Sequence, residues 1–130
     1  MRRDVYSGTL KLYGEEHKDT IADAFNYSVD LANLQRFEEA KALLRKTIPV
    51  ARRVLGESHE LTLRMRWAYA RALYENPGAT LDDLREAVTT LEDADPIARR
   101  VLGSSNPVAI AIEFFLRKAR AALAQRRPVV

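Results

Sequence analysis

Apolar residues recur every three or four positions along most of this chain, which is the spacing of one face of an α-helix. Stripes of this kind cover residues 21–32, 37–55, 63–74, 81–102 and 107–123. The connections between them are short, and Asn76-Pro77-Gly78-Ala79 is a strong turn signal before Thr80, which is expected to cap the next helix. Short connections make successive helices antiparallel neighbours. The pattern therefore predicts an all-α chain of two helix pairs and a closing helix.

A nearly identical internal repeat shows where successive helical units begin and end. The sequence Pro49-Val-Ala-Arg-Arg-Val-Leu-Gly56 returns as Pro96-Ile-Ala-Arg-Arg-Val-Leu-Gly103, with seven of eight positions identical, and a fainter copy ends at Gly14. The three glycines lie 42 and 47 residues apart, and each is expected to end a helix in a left-handed conformation. Pro49 and Pro96 each remove a backbone donor, so we expect both helices to bend there.

Repeated helix pairs stack into a solenoid, because a single pair cannot bury its apolar face alone. The sequence therefore predicts one domain with the α-α superhelix architecture. Its expected parts are a lead-in or helix remnant at 1–13, repeats at 14–56 and 57–103, and a capping helix at 104–127.

Composition and charge narrow the class of protein. With 47% apolar and 30% charged residues, the chain is typical of folded, soluble domains, and the absence of Cys excludes a disulfide scaffold or a thiolate metal site. No apolar run is long enough for a membrane-spanning helix, and the first residues lack the apolar stretch of a secretory signal. We therefore expect a cytoplasmic protein that does not contact a membrane.

The residue types that carry catalysis are present but are not arranged for it. His17 and His59, the only histidines, follow helix-ending glycines one repeat apart, a separation of roughly 20 Å, so a structural role in the turn explains them better than a shared metal. The adjacent acids Glu38-Glu39 and Asp82-Asp83 lie in first helical turns, where the helix dipole favours negative charge. We predict no catalytic residues, no metal and no cofactor.

Several motifs resemble those of one family. Leu12-Tyr-Gly-Glu-Glu-His17, Asn26-Tyr27, Phe37-Glu-Glu-Ala40 and Ala51-Arg-Arg-Val-Leu-Gly56 are similar to the 42-residue tetratricopeptide repeat of kinesin light chains. The similarity extends over about residues 11–127 and is strongest in the first unit. It implies a right-handed superhelix whose inner groove holds a peptide or a partner segment.

Carried over by position, the resemblance implies a groove lined by the first helix of each pair. The expected residues are Phe25, Asn26, Val29 and Asn33, then Arg64, Trp67, Ala68, Arg71 and Tyr74, then Phe114, Phe115 and Lys118. Trp67 and Phe114 occupy equivalent positions in successive units, so we expect them to stack. Aromatic residues beside arginines favour a segment that is both acidic and apolar, although core packing is the alternative role for these rings.

Three kinds of partner fit these features. A protein or peptide partner is the leading hypothesis, which makes the chain an adaptor rather than an enzyme. The alternative is a self-associating scaffold, such as a homodimer formed through apolar end surfaces. Nucleic-acid binding is the least favoured, because cations at a helix end also complement the helix dipole. The residues for that third role are Arg117, Lys118, Arg120, Arg126 and Arg127.

Overall fold

The computed structural model describes residues 2–126, which form six α-helices joined by short turns. These helices are α1 (Arg2–Tyr13), α2 (Lys18–Asn33), α3 (Phe37–Val54), α4 (Glu60–Tyr74), α5 (Leu81–Leu102) and α6 (Pro107–Arg126). No strand occurs in residues 2–126. The predicted all-α class is confirmed, whereas Arg127, one of the predicted basic residues, lies outside the described range.

The six helices form two layers. Each helix contacts the next one along the chain, and further contacts join α2 to α4 and α4 to α6. The backbones of α1, α3 and α5 make no corresponding contacts with one another in the described part of the chain. The layer of α2, α4 and α6 is therefore the more closely spaced one, and the array curves toward it. We call it the inner layer, and the arrangement is the helical-repeat solenoid that the sequence predicted.

The core runs between the layers with α4 at its centre. On α4, the side chains of Leu63, Met65 and Leu73 have almost no exposed surface. Fully buried alanines on α2, α3, α4 and α5 allow the helix backbones to approach one another closely. The buried face of α6 consists of Val108, Ala109, Ile112, Leu116, Ala119 and Leu123. α6 therefore covers one end of the core, while α1 buries only Tyr6 at the other end.

The repeated glycines end their helices as predicted. Gly14, Gly56 and Gly103 have φ angles of 84°, 101° and 88°, in the left-handed region that a residue with a Cβ rarely adopts. α3 and α5 continue through Pro49 and Pro96 as unbroken helices. A bend at either proline stays a prediction.

Each inner helix begins with the same kind of side-chain cap. The Nδ1 atoms of His17 and His59 accept hydrogen bonds from backbone N–H groups two residues later, both at 3.1 Å. At the equivalent position of the third unit, the side-chain oxygen of Asn106 accepts from the N–H of Val108 at 2.8 Å. The structural role expected for the two histidines is therefore that of a helix cap, which satisfies one otherwise unpaired donor.

Thr80 caps α5, as the preceding turn sequence predicted. Its hydroxyl accepts a hydrogen bond from the N–H of Asp83 at 3.1 Å, and the Asp83 carboxylate accepts one from the N–H of Thr80 at 3.0 Å. The bond from the Thr80 backbone stabilises the charged carboxylate and so lowers the pKa of Asp83.

We expect His59→Ala to lower the free energy of unfolding by about 1 kcal/mol, because the N–H of Leu61 loses its acceptor. His59→Asn should retain most of the stability, since Asn106 shows that an amide oxygen serves at this position. Chemical denaturation of the wild type and the two variants measures both differences. Equal losses for alanine and asparagine would show that the imidazole stabilises the turn through some other contact.

Candidate partner-binding surface

Helix α4 leaves one stripe of its surface at least partly exposed. The stripe consists of Glu60, Leu61, Arg64, Trp67, Arg71 and Tyr74, and every other residue of the helix is buried. These positions recur at helical spacing, so they lie on one face. Four of them were expected in the groove from the sequence: Arg64, Trp67, Arg71 and Tyr74. Ala68, which was also expected there, is buried.

Phe115 of α6 joins this stripe to form an aromatic cluster with Trp67, Tyr74 and Phe114. Its ring stacks on Trp67, with the ring centroids 5.4 Å apart, and makes a tilted contact with Tyr74 at 6.3 Å. Phe114 meets Phe115 edge to face at 5.2 Å. The expected stacking of Trp67 on Phe114 is therefore wrong. Adjacent helical side chains point about 100° apart, and Phe115 is the one that meets α4.

Trp67 belongs both to the core and to the surface. Its ring packs against the core, and its Nε1 atom is buried with no hydrogen-bond acceptor among the described residues, yet part of the side chain stays exposed. Tyr74 is also half-buried, and its burial raises the pKa of the hydroxyl above its ordinary value. Phe114 is the most accessible member of the cluster at 45% exposed. The aromatic cluster therefore contributes to the core and also presents aromatic surface to solvent.

The two arginines that flank Trp67 already have partners within the chain. Arg64 donates to Glu60 and Arg71 donates to Glu75, each at 3.1 Å and one helical turn away. Arg71 also donates to the side-chain oxygen of Asn33 at 3.1 Å, which joins α4 to α2. These pairs reduce the positive field around the aromatic cluster.

Lys118 provides a third positive charge, on the α6 side of the cluster. Its Nζ atom lies 5.4 Å from the centroid of the Phe114 ring, which is a cation–π contact. A shallow hollow of about 290 Å³ is lined by Phe114, Arg117, Lys118 and Ala121. This end of the surface combines an exposed aromatic ring with accessible positive charge.

A cleft of about 280 Å³ lies between α2 and α4 beside the stripe. Phe25 and Asn26 of α2 line it together with Arg64 of α4, so the structure brings three sequence-predicted residues to one place. Val29 lies one turn further along α2 and is partly buried. The remaining lining residues, which the sequence analysis missed, are Ala22, His59, Glu60 and Leu61. In the sequence, these four residues are marked only by lying within one helical turn of a predicted groove residue or at the helix cap.

Two of the basic residues near the C-terminus fasten α6 to the rest of the protein. Arg120 donates to Glu92 at 2.8 Å, and Arg126 donates to the backbone carbonyl of Ala79 at 2.8 Å. Both side chains thus have structural contacts, which explains them without a nucleic-acid partner.

Among residues 2–126, no helix is both long enough and apolar enough to cross a membrane. No group of three or more His, Asp or Glu side chains in this range is placed to hold a metal ion.

Comparison with known proteins bears on the repeat itself. Residues 26–60 match the family model of the tetratricopeptide repeat, and this segment covers the second half of α2, the whole of α3 and the turn into α4. No curated protein and no solved structure matches the chain. Tetratricopeptide repeats generally mediate interactions between proteins. Residues 26–60 are therefore similar to a tetratricopeptide repeat, and they lie within an all-α helical-repeat solenoid.

Proposed function

We propose that the inner layer binds a segment of a partner protein and that the aromatic cluster anchors it. The observation that carries this proposal is the stack of Phe115 on Trp67, which holds accessible aromatic surface at the exposed stripe of α4. Aromatic residues and arginines dominate the binding energy of protein interfaces. The proposed groove consists of Phe25, Asn26, Val29, Asn33, Arg64, Trp67, Arg71, Tyr74, Phe114, Phe115 and Lys118.

The charges of the groove indicate which kind of segment it accepts. Arg64 and Arg71 already pair with glutamates, so an acidic segment must compete for them. We infer that apolar contact with the aromatic cluster supplies most of the affinity. An acidic residue of the segment, placed near Lys118, then adds selectivity. The proposed ligand is thus an apolar or aromatic residue next to Asp or Glu.

The resemblance to kinesin light chains supports this proposal and refines it. Asn26 stands at the position of that family's groove asparagine, whereas Ala68 and Phe115 stand at the corresponding positions of the later units. We therefore expect side-chain contacts to a peptide backbone at Asn26 and aromatic contacts at Phe115. A cytoplasmic adaptor of the kinesin light chain type is the form of the function that we propose.

Self-association is the second candidate function, and one observation favours it. Val5, Leu12 and Tyr13 are apolar and more than half exposed on α1. At the other end, Arg117 and Arg120 replace the buried Ala70 and Leu73 of the preceding unit, which disfavours docking of a second copy on α6. Light scattering over a range of concentrations gives the mass that separates a monomeric binder from a dimer formed through α1.

Selection from a random peptide library should return segments with a large apolar residue next to an acid. For a selected peptide, Trp67→Ala and Phe114→Ala should each raise the dissociation constant by about tenfold or more, because each removes an aromatic anchor. Arg64→Glu should weaken an acidic peptide by several-fold through charge repulsion. Isothermal titration calorimetry measures all three.

Two matched controls lie in the outer layer on α5. Val101→Ala removes an apolar side chain about as exposed as Phe114, and Arg85→Glu reverses an exposed charge as Arg64→Glu does. Both should leave the affinity unchanged, and circular dichroism should show that every variant is folded. A selected peptide that responds to the α5 variants and ignores the groove variants would contradict the proposal.

A further inference from the structure

Arg66 of α4 is a buried cation, and its nearest acids among residues 2–126 lie beyond hydrogen-bond distance. Only 4% of its surface is exposed. The nearest carboxylate oxygens, on Glu57 and Asp93, lie 3.9 and 4.0 Å from its guanidinium, beyond hydrogen-bond distance. Its Nε atom has no acceptor within residues 2–126. Burial and the nearby charge of Arg52 both lower the pKa of Arg66, so its surroundings disfavour the positive charge that an arginine retains.

Arg66 lies in a cleft of about 270 Å³ between α3 and α5, which we call the outer cleft. The backbones of α3 and α5 are not in contact, so the outer surface of α4 forms the floor of the cleft. Toward one end, Arg45 donates to the hydroxyl of Tyr69 at 2.8 Å and pairs with Glu86 at 3.4 Å. The outer cleft opens on the side of the array opposite to the proposed groove.

Arg66 differs from the other two arginines of the outer cleft, which have close partners in the described part of the chain. Arg45 has Tyr69 and Glu86, and Arg52 has Glu57 at 3.2 Å. The Glu57 and Asp93 side chains that lie nearest to Arg66 are 57% and 67% exposed, so they compensate its charge poorly. Among the described residues, Arg66 is therefore the arginine of the outer cleft whose N–H donors have no acid within hydrogen-bond distance.

The equivalent positions of the next unit hold residues of opposite charge. Arg52 and Arg66 correspond to Arg99 and Glu113, 47 residues later. There, the guanidinium of Arg99 lies 3.7 Å from the carboxylate of Glu113. The α3–α4 pair thus places two arginines where the α5–α6 pair places an arginine and a glutamate.

We propose that the outer cleft binds a carboxylate, supplied by an acidic side chain of a partner protein, between Arg66 and Arg52. Each guanidinium group offers a planar fork of N–H donors that matches a carboxylate. A single negative charge is the better complement than a doubly charged phosphate, because Glu57, Glu86 and Asp93 already surround the site. This second site does not depend on the inner groove, so a test can contradict one proposal and leave the other standing.

The Nε–H resonance of Arg66 reports directly on this site in the wild-type protein. We expect the resonance to shift saturably on addition of sodium acetate at constant ionic strength, with a dissociation constant on the order of 10 mM. The blocked peptide Gly-Asp-Gly should cause the same shift, and Gly-Asn-Gly should cause none. Arg66→Lys, which keeps the charge and lacks this N–H group, assigns the resonance.

Two repeat-equivalent substitutions test the assignment to Arg52 and Arg66. Arg52→Met should weaken acetate binding by about tenfold, and Arg99→Met, at the equivalent position of the next unit, should leave it unchanged. The wild type should melt at a higher temperature in acetate than in chloride, and Arg66→Met should abolish that difference. No shift of the Arg66 resonance with acetate would overturn the proposal. Tighter binding of inorganic phosphate than of acetate would overturn the carboxylate assignment.

Discussion

Replacing Ile112 by aspartate is expected to lower the free energy of unfolding by about 4 kcal/mol or more, a large share of the stability of an ordinary domain. Ile112 has no exposed surface and belongs to the main core cluster, where α6 packs on α4 and α5. Aspartate at this position buries an unpaired charge and removes an apolar side chain from the core. Urea denaturation followed by far-UV circular dichroism measures the loss.

Ile110→Asp is the matched control on the same helix. Ile110 is 52% exposed and lies in the first turn of α6, where the helix dipole favours a carboxylate. We expect its effect on the free energy of unfolding to stay below about 1 kcal/mol. Similar losses for the two variants would show that α6 does not dock through the face that contains Ile112.

The buried face of α6 is an example of what sequence periodicity does predict. The apolar stripe predicted over residues 107–123 contains Ile112, Ala119 and Leu123, which are buried, and Phe115 and Ala122, which are partly buried. The helix order, the glycine stops and the cap at Thr80 follow from local rules in the same way. Such features depend on residues within a few turns of one another, so the sequence carries the necessary information.

The stacking partner of Trp67 shows where the repeat misleads. Equivalence between units pointed to Phe114, whereas the ring in contact is Phe115. Repeat equivalence gives the position of a residue on its own helix, but a contact between helices also depends on how the two axes cross. A difference of one residue is enough to change which side chain meets α4.

The ion pairs of the groove arginines could be predicted from the sequence, whereas the outer cleft could not. Glu60 and Arg64, like Arg71 and Glu75, are four residues apart, which is the spacing of an ion pair along a helix. The outer cleft exists because the backbones of α3 and α5 are not in contact. A local sequence pattern does not predict that separation. The sequence does not distinguish Arg66 from the partly exposed arginines of the same helix, and its burial becomes evident only from the packing of α3, α4 and α5.

Leu63→Ala is expected to lower the free energy of unfolding by about 2–5 kcal/mol. Leu63 has no exposed surface and lies on α4, the helix that contacts α2, α3, α5 and α6. The substitution removes apolar contact and leaves a cavity that the surrounding close-packed helices fill only partly. Leu12→Ala, at a position that is 76% exposed on α1, is the matched control and should change the stability by less than about 0.5 kcal/mol.

The shape of the Leu63→Ala transition carries a second result. Because α4 contacts α2, α3, α5 and α6, we expect the whole array to unfold in one step. Trp67 fluorescence and far-UV circular dichroism should therefore give the same midpoint. Solenoids are stabilised by contacts between neighbouring units, and α4 makes the contacts that join the two pairs here. A cavity at Leu63 should therefore lower the single midpoint without splitting it. Two separate transitions in the variant would mean that the helix pairs are independently stable and that α4 does not couple them.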